Sequence, residues 1–304
     1  MKHILVFLSF AFASLIFFNG CREEAKSPTD THISGTIHVS VDESFAPIMR
    51  ELGKIFQGNF PKAKIDMAFK SEAACLQDLF KDSTRMIFLA RDLDSIEREM
   101  LKQKQIPITA HKAFARDAIA FITAKSNVPY QMSQRQLEDL CAGKLIGKQL
   151  VFDREGSSTY SYVADSILNG KASNAEISGA NGPADVVKFV ANNTDAIGVV
   201  GMSWLSDPKD SIAIDFLKKV QLVGIIPFGD SLERYRTPIL AYIANGEYPY
   251  IRNLHFISKE THGGLGTGFV NWICDEGQLV IAKSNLFPIV NNVFLRTVDN
   301  RKKK

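Results

Sequence analysis

The chain has 304 residues, 45% of them hydrophobic and 23% charged, with a formal net charge of +3. That length can supply a sizeable buried core spread over two domains or lobes. So small a positive balance, part of it in the terminal run Arg301–Lys304, points to neither nucleic acid nor a membrane surface as the main partner.

At the N-terminus, Lys2 and His3 precede the apolar run Ile4–Phe18, followed by Asn19-Gly20-Cys21. A positive flank, a short greasy segment and a small residue before a cleavage point describe an export signal over residues 1–20. The run falls short of the roughly 20 apolar residues that a spanning helix needs. Cysteine after glycine resembles the bacterial lipoprotein box, although Phe18 stands where that box usually has leucine. The resemblance implies lipidation of Cys21, and anchorage in the periplasm or cell envelope through that lipid. Polar residues 21–34 would then be the tether.

From residue 36 onward, short strands alternate with amphipathic helices. "TIHVSV" (36–41) has period two, and after Pro47 the residues Ile48, Leu52, Ile55 and Phe56 mark one helix face. A strand at 64–69 and a helix at 71–80 follow. "RMIFLA" (85–90) is the continuous apolar run of a strand covered on both faces. Further strands are predicted at 117–123, 149–152, 196–201 and 238–244. Helices are predicted at 133–142, 158–169 and 183–192, with a last long one from about 268 to 283. The alternation predicts an α/β protein with largely parallel sheets. Cys75, Cys141 and Cys274 match no metal or redox spacing, so buried thiols are expected and one disulfide stays open.

Three strand-to-helix turns put serine at a helix mouth: Ser44 in "VDESFAPI", Ser71 in "AFKSEAAC", and Ser157-Ser158-Thr159 in "DREGSSTY". A helix start exposes about four unpaired N–H groups and roughly half a positive charge, so added hydroxyls make an anion cradle. In α/β sheets such turns gather at the carboxyl ends of strands. Arg91, directly after a buried strand, would emerge at the same edge and could grip an oxyanion through two nitrogens. Each serine taken alone is an ordinary helix cap. It is their coincidence that suggests a site.

The stretches "VSVDESFAPIMRELGKIFQGNFP", "FKSEA", "IFLARDLDSIE", "ARDAIAFITAKSN", "FDREGSSTY", "AIGVVGMSWLSD" and "GTGFVNWICDEGQLVIAKSNLFPI" cover most of residues 35–292. In order and spacing the chain resembles the PstS-like phosphate-binding proteins of ABC importers. The resemblance implies an α/β, two-lobed periplasmic-binding-protein fold of type II, with crossings near 111–117 and 227–238. It divides the chain into a discontinuous first lobe, 35–113 plus 232–304, and a second lobe, 114–231. It implies a monomer that passes inorganic phosphate, or a similar tetrahedral oxyanion, to an ABC permease without catalysis, cofactor or metal. Ser44, the Phe45 backbone N–H, Ser71, Arg91, Ser157, Ser158 and Thr159 would surround the anion. The chain departs from the pattern where Asp153, with Arg154 beside it, replaces an arginine, and where Ala90-Arg91 lacks a hydroxyl. Asp92, Asp153 or Glu155 could accept the proton that phosphate keeps and sulfate lacks, and the sequence leaves that choice open.

Two other classes are weighed. Exposed serines at such turns can act as nucleophiles, but "GSSTY" lacks the second glycine of the nucleophile elbow and no histidine falls in a motif. "GGLGTG" (263–268) has the wrong glycine spacing for a nucleotide fingerprint and reads as a flexible entry to the final helix. An exported adhesion or signalling module with the same fold remains the alternative, since function lives in the site.

Overall fold

The computed structural model describes residues 30–289 apart from 129, 146, 155 and 172–176. The predicted signal, Cys21, most of the tether and Glu155 lie outside the described residues.

β1 (Gly35–Asp42) passes through a 3₁₀ turn (Glu43–Phe45) into α1 (Ala46–Asn59). Pro47 in its first turn gives up no hydrogen bond, and Ile48, Met49, Leu52 and Phe56 form its buried face. β2 (Ala63–Lys70) runs parallel to β1 along its whole length, from Gly35↔Ala63 to Asp42↔Lys70. Next come α2 (Glu72–Leu79), β3 (Met86–Leu89) and α3 (Ser95–Gln103), the last started by a capping box between Asp94 and Glu97. All four residues of β3 are buried, as a strand covered on both sides requires. β4 (Ala110–Ala124) then runs unbroken for 15 residues.

β5 (Gln131–Ser133), α4 (Gln134–Cys141), β6 (Gln149–Phe152) and α5 (Ser158–Tyr162) follow, α5 continuing as a π turn over Val163–Ile167. β7 (Ile177–Gly179), α6 (Pro183–Asn192) and β8 (Ala196–Gly201) complete a second parallel cluster. α7 (Ser211–Lys219), β9 (Val220–Leu222), β10 (Gly224–Ile226) and α8 (Leu240–Ala244) lead to β11 (Ile251–Ser258). α9 (Leu265–Ile273), α10 (Gly277–Lys283) and β12 (Phe287–Pro288) close the described chain.

The main sheet has the order β2-β1-β3-β11-β4-β8-β6-β7, with β9 and β12 also paired to β4. β1, β2 and β3 are mutually parallel, as are β6, β7 and β8. Antiparallel β11 and β4 join the two clusters. β4 pairs with β11 over Ala110–Ala118 and with β8 over Ile119–Ile122, so one strand carries the ladders of both halves. One core gathers Phe45, Phe56, Phe88, Phe269 and Trp272 between β1, β3, α1 and α9. The other packs Phe121, Phe152, Val187 and Val199 around the end of β4 and the second parallel cluster. Among the described residues no helix is long and apolar enough to cross a membrane.

Three sequence expectations need correction. Residues 238–244, predicted as a strand, end in helix α8, which buries Ile243 and stops at Asn245-Gly246, the glycine at φ 68°. A short apolar run does not separate strand from helix by periodicity, and a left-handed glycine just past the run is a helix stop. The last helix is two helices, α9 and α10. "GGLGTG" is a tightly fixed start to α9: the Leu265 N–H donates to Asp30 at 2.8 Å, and the Thr267 N–H to Glu260 at 2.7 Å. A Cβ on Gly268 would lie 2.0 Å from the His32 carbonyl oxygen, so close backbone packing demands that glycine. Cys75 and Cys141 are buried and Cys274 is half-buried, and none of the three forms a disulfide with another described residue.

Candidate functional site

The carboxyl ends of β1 and β6 face each other across the junction of the two halves. At the end of β1, Asp42 Oδ1 accepts the Ser44 N–H at 2.9 Å and so caps the 3₁₀ turn. Beyond β6, Asp153 Oδ1 accepts a hydrogen bond from Thr159 Oγ1 at 2.5 Å, and Ser157 caps α5 by accepting the Tyr160 N–H at 3.3 Å. These caps fix the turns so that Ser44 Oγ and Ser158 Oγ meet at 2.8 Å.

A guanidinium bridges that hydroxyl pair. Arg252 on β11 donates from Nη1 to Ser158 Oγ and from Nη2 to Ser44 Oγ, both at 3.0 Å. Its Nε and Nη2 also donate to Asp117 Oδ2 on β4, at 3.1 and 2.7 Å. Asp117 Oδ1 accepts the Ser203 N–H at 3.1 Å, which ties the pair to the turn after β8. Ser44, Ser157, Ser158, Thr159, Asp42, Asp117, Asp153 and Arg252 are all buried. Gly201 makes this approach possible, since a Cβ there would stand 2.3 Å from the Ser44 carbonyl oxygen.

The structure therefore brings Ser44 and Ser158 into contact and sets Ser157 and Thr159 directly behind them, 3.1 Å apart. Phe45 lies beside the pair, with its ring in the first core. Ser71 stands at the same edge, and its hydroxyl caps α2 by accepting the Ala74 N–H at 3.4 Å. Next to it, the Ala73 N–H donates to the Gly156 carbonyl across the junction at 3.2 Å. Arg91 pairs with Glu72 at 2.9 Å and Glu97 at 2.7 Å and lines the same cavity as Ser158 and Arg252. Asp92 pairs with Arg98 at 2.7 Å. Arg154 crosses the junction, donating to Glu43 at 2.9 Å and to the Asn181 carbonyl at 2.6 Å.

Arg252, Asp117 and Asp42 were not singled out from the sequence. The one available signal was a lone arginine inside the apolar run "YIRNLHFIS" and a lone aspartate at the head of "DAIAFIT". Each is a charge in a strand-like segment, which is costly unless paired.

Burial sets the electrostatics. Desolvation raises the Asp42 carboxyl above its usual range, against the pull of Arg252. Desolvation likewise raises Glu43 to about 7, opposed by Arg154, and Glu72 to about 7, opposed by Arg91. Burial alone would lower Arg252, but the neighbouring Asp117 and Asp42 outweigh it and hold the guanidinium charged. Asp42 Oδ2 and Asp153 Oδ2 are buried without a hydrogen-bond partner among the described residues. A cavity of about 310 Å³ adjoins the cluster, with Ser158, Arg252, Arg91 and His255 among its walls. Elsewhere Asp30, Glu260 and His262 converge as a cation site would, yet Arg85 already lies among them, 2.7 Å from Asp30 and 3.3 Å from Glu260.

The arrangement offers neutral donors and one compensated guanidinium at a water-excluded junction, which suits an oxyanion. Comparison with known proteins agrees with that architecture. A sequence model described as a PBP superfamily domain matches residues 26–276, and the chain belongs to that superfamily. It is similar to the phosphate-binding protein PstS 2 of Streptococcus pneumoniae, 27% identical over 128 residues; the match covers 42% of this chain and 41% of that protein's length. Its fold is similar to a structure described as a phosphate ABC transporter substrate-binding protein with bound phosphate from Clostridium perfringens. That likeness has a TM-score of 0.67 and 21% identity, covering 84% of this chain and all of the other. An ABC-type phosphate transport receptor from Vibrio cholerae is similar at TM-score 0.59 and 16% identity, again covering 84% of this chain and all of the other. At these identities the structural likeness establishes the fold, a type II periplasmic-binding architecture.

Proposed function

We propose that this PBP-superfamily protein is the exported capture component of an ABC importer for inorganic phosphate. In this reading Cys21 carries a lipid that holds the protein to a membrane, and a monomer delivers its cargo to the permease. Residues 35–113 with 232–304 form one lobe and 114–231 the other. The observation that carries the reading is the meeting of Ser44, Ser158 and Arg252, drawn from three distant segments.

The chemistry follows from those groups. When the lobes part, the Ser44–Ser158 bond breaks and two hydroxyls and two guanidinium N–H groups become available to an oxyanion. Closure then replaces the ion's water with fixed donors, which cost little to reorganise. Asp42 supports the choice of phosphate. Its buried, unpartnered Oδ2 shares one proton with a bound oxyanion; phosphate can supply that proton and sulfate cannot. Among the described residues, the histidine rings that have polar contacts pair with Asp30, Asp66, Asp92 or Arg85.

Calorimetry on the purified protein tests this. Phosphate should bind with micromolar or tighter affinity, and Ser158→Ala should weaken it by about 1–3 kcal/mol. Heat from sulfate or molybdate but none from phosphate would replace the ligand.

A further inference from the structure

Two carboxylates back the hydroxyl cluster, one from each half. Asp42 ends β1, Asp153 follows β6, and both are 0% exposed. One oxygen of each is used locally. Asp42 Oδ1 accepts the Ser44 N–H at 2.9 Å, and Asp153 Oδ1 accepts from Thr159 Oγ1 at 2.5 Å and from the Arg154 N–H at 3.2 Å. The other oxygen, Oδ2 in both, is buried with no hydrogen-bond partner among the described residues. Contact with solvent accounts for an exposed bare oxygen but not for one at full burial, where it is costly.

The charges around the pair are unbalanced too. Arg252 on β11 makes its ion pair with Asp117 on β4, at 2.7 Å. Arg154 pairs with Glu43 across the junction, and Arg91 with Glu72 on α2. Burial pushes the Cys75 thiol on α2 up, so it stays neutral. Each neighbouring guanidinium thus has a carboxylate of its own, and Asp42 and Asp153 are left over. Desolvation raises the Asp42 carboxyl against the pull of Arg252, and the Asp153 charge adds to the rise. What the pair lacks is a proton for each bare oxygen. Sulfate brings none, and monohydrogen phosphate satisfies one acceptor. Dihydrogen phosphate has an O–H for each carboxylate and two bare oxygens for the Ser44 and Ser158 hydroxyls and Arg252.

We infer that the site selects phosphate as its dihydrogen monoanion, with one O–H donating to Asp42 Oδ2 and the other to Asp153 Oδ2. The inference rests on the phosphate reading and deepens it. With the halves parted both carboxylates meet water and are ionised. Where dissolved phosphate has already lost its second proton, the closing protein takes one up from the solvent.

Calorimetry of inorganic phosphate from about pH 6 to about pH 9, in buffers of different ionisation heat, reads affinity and proton exchange together. Above neutrality, affinity should fall about tenfold for each pH unit, with about one proton taken up per ion bound. Glu43 and Glu72 also titrate at about 7, so variants must separate the sources. Asp153→Asn keeps the Oδ1 acceptor and puts an N–H donor in place of Oδ2. It should hold the monohydrogen dianion without proton uptake, about tenfold more tightly than the wild type at the alkaline limit. Asp42→Asn is the same change in the other half and should act alike, whereas Glu72→Gln should keep the wild-type uptake. Tight binding by the wild type at every pH, with no proton taken up, overturns the inference and leaves the phosphate reading standing. Uptake that persists in both asparagine variants places the proton elsewhere and overturns it as well. No heat from phosphate at any pH overturns both readings.

Discussion

Arg252 is the residue on which the site turns. It is buried with Asp117, and each charge is tolerable there only because of the other. Arg252→Ala should cost about 3–5 kcal/mol, because it strands the Asp117 carboxylate. Arg252→Ala/Asp117→Ala should recover much of that loss in urea unfolding, while phosphate binding stays abolished in both. Equal instability of the single and double variants would show that the guanidinium's other bonds dominate. Glu72 carries a different consequence. Its folded pKa of about 7 lies above the ordinary 4.5, so the folded state holds this proton more tightly than the unfolded chain does. The resulting stabilisation is complete below pH 4.5 and lost as pH climbs through 7. Glu72→Gln removes the buried charge, so between pH 5 and 8 the variant should lose about 2 kcal/mol less stability than the wild type. Thermal melts at the two pH values measure it. Glu43, also raised to about 7, leaves part of the slope in place.

At the scale of elements, the parallel units of each half were legible in the chain because their signals are local. Pro47 starts α1, Ser71 caps α2, Gln134–Cys141 follows its Ser133 cap, and the apolar run of β3 is short and uninterrupted. The turns carrying Ser44 and Ser157–Thr159 could be placed for the same reason. β11 was not legible: Arg252, Asn253 and His255 break its apolar pattern, and its identity as a strand is settled by pairing with β3 and β4. Arg252 was hidden likewise, since its partners stand 94, 135 and 208 residues away. Gly201 shows how two elements can depend on one missing Cβ. At the end of β8 it lets the Ser44 carbonyl approach to where a methyl would stand 2.3 Å away, with Arg252 Nη2 at 2.6 Å. Gly201→Ala should therefore push the turn after β1 off β8, costing about 1–3 kcal/mol and weakening phosphate binding as well. A stable variant with native affinity would show that the turn yields without disturbing the hydroxyl pair.

At the scale of the whole molecule, the junction is closed by several polar ties and not by one. Besides the serine–arginine cluster, Arg154 reaches Glu43, Gly156 accepts from Ala73, Trp204 Nε1 donates to the Glu43 carbonyl at 3.0 Å, and Tyr162 reaches Ile251. Apolar packing crosses the seam as well: Ala46 of α1 belongs to the second core, and Phe69 of β2 packs against both cores. The polar ties can be exchanged for water and ligand at little net cost, which suits the proposed capture.

β4 adds a mechanical consequence. Its pairing passes from β11 to β8 between Ala118 and Ile119 without a loop. In the proposed capture cycle, parting the halves would bend this continuously paired strand, which offers no slack loop between the two ladders.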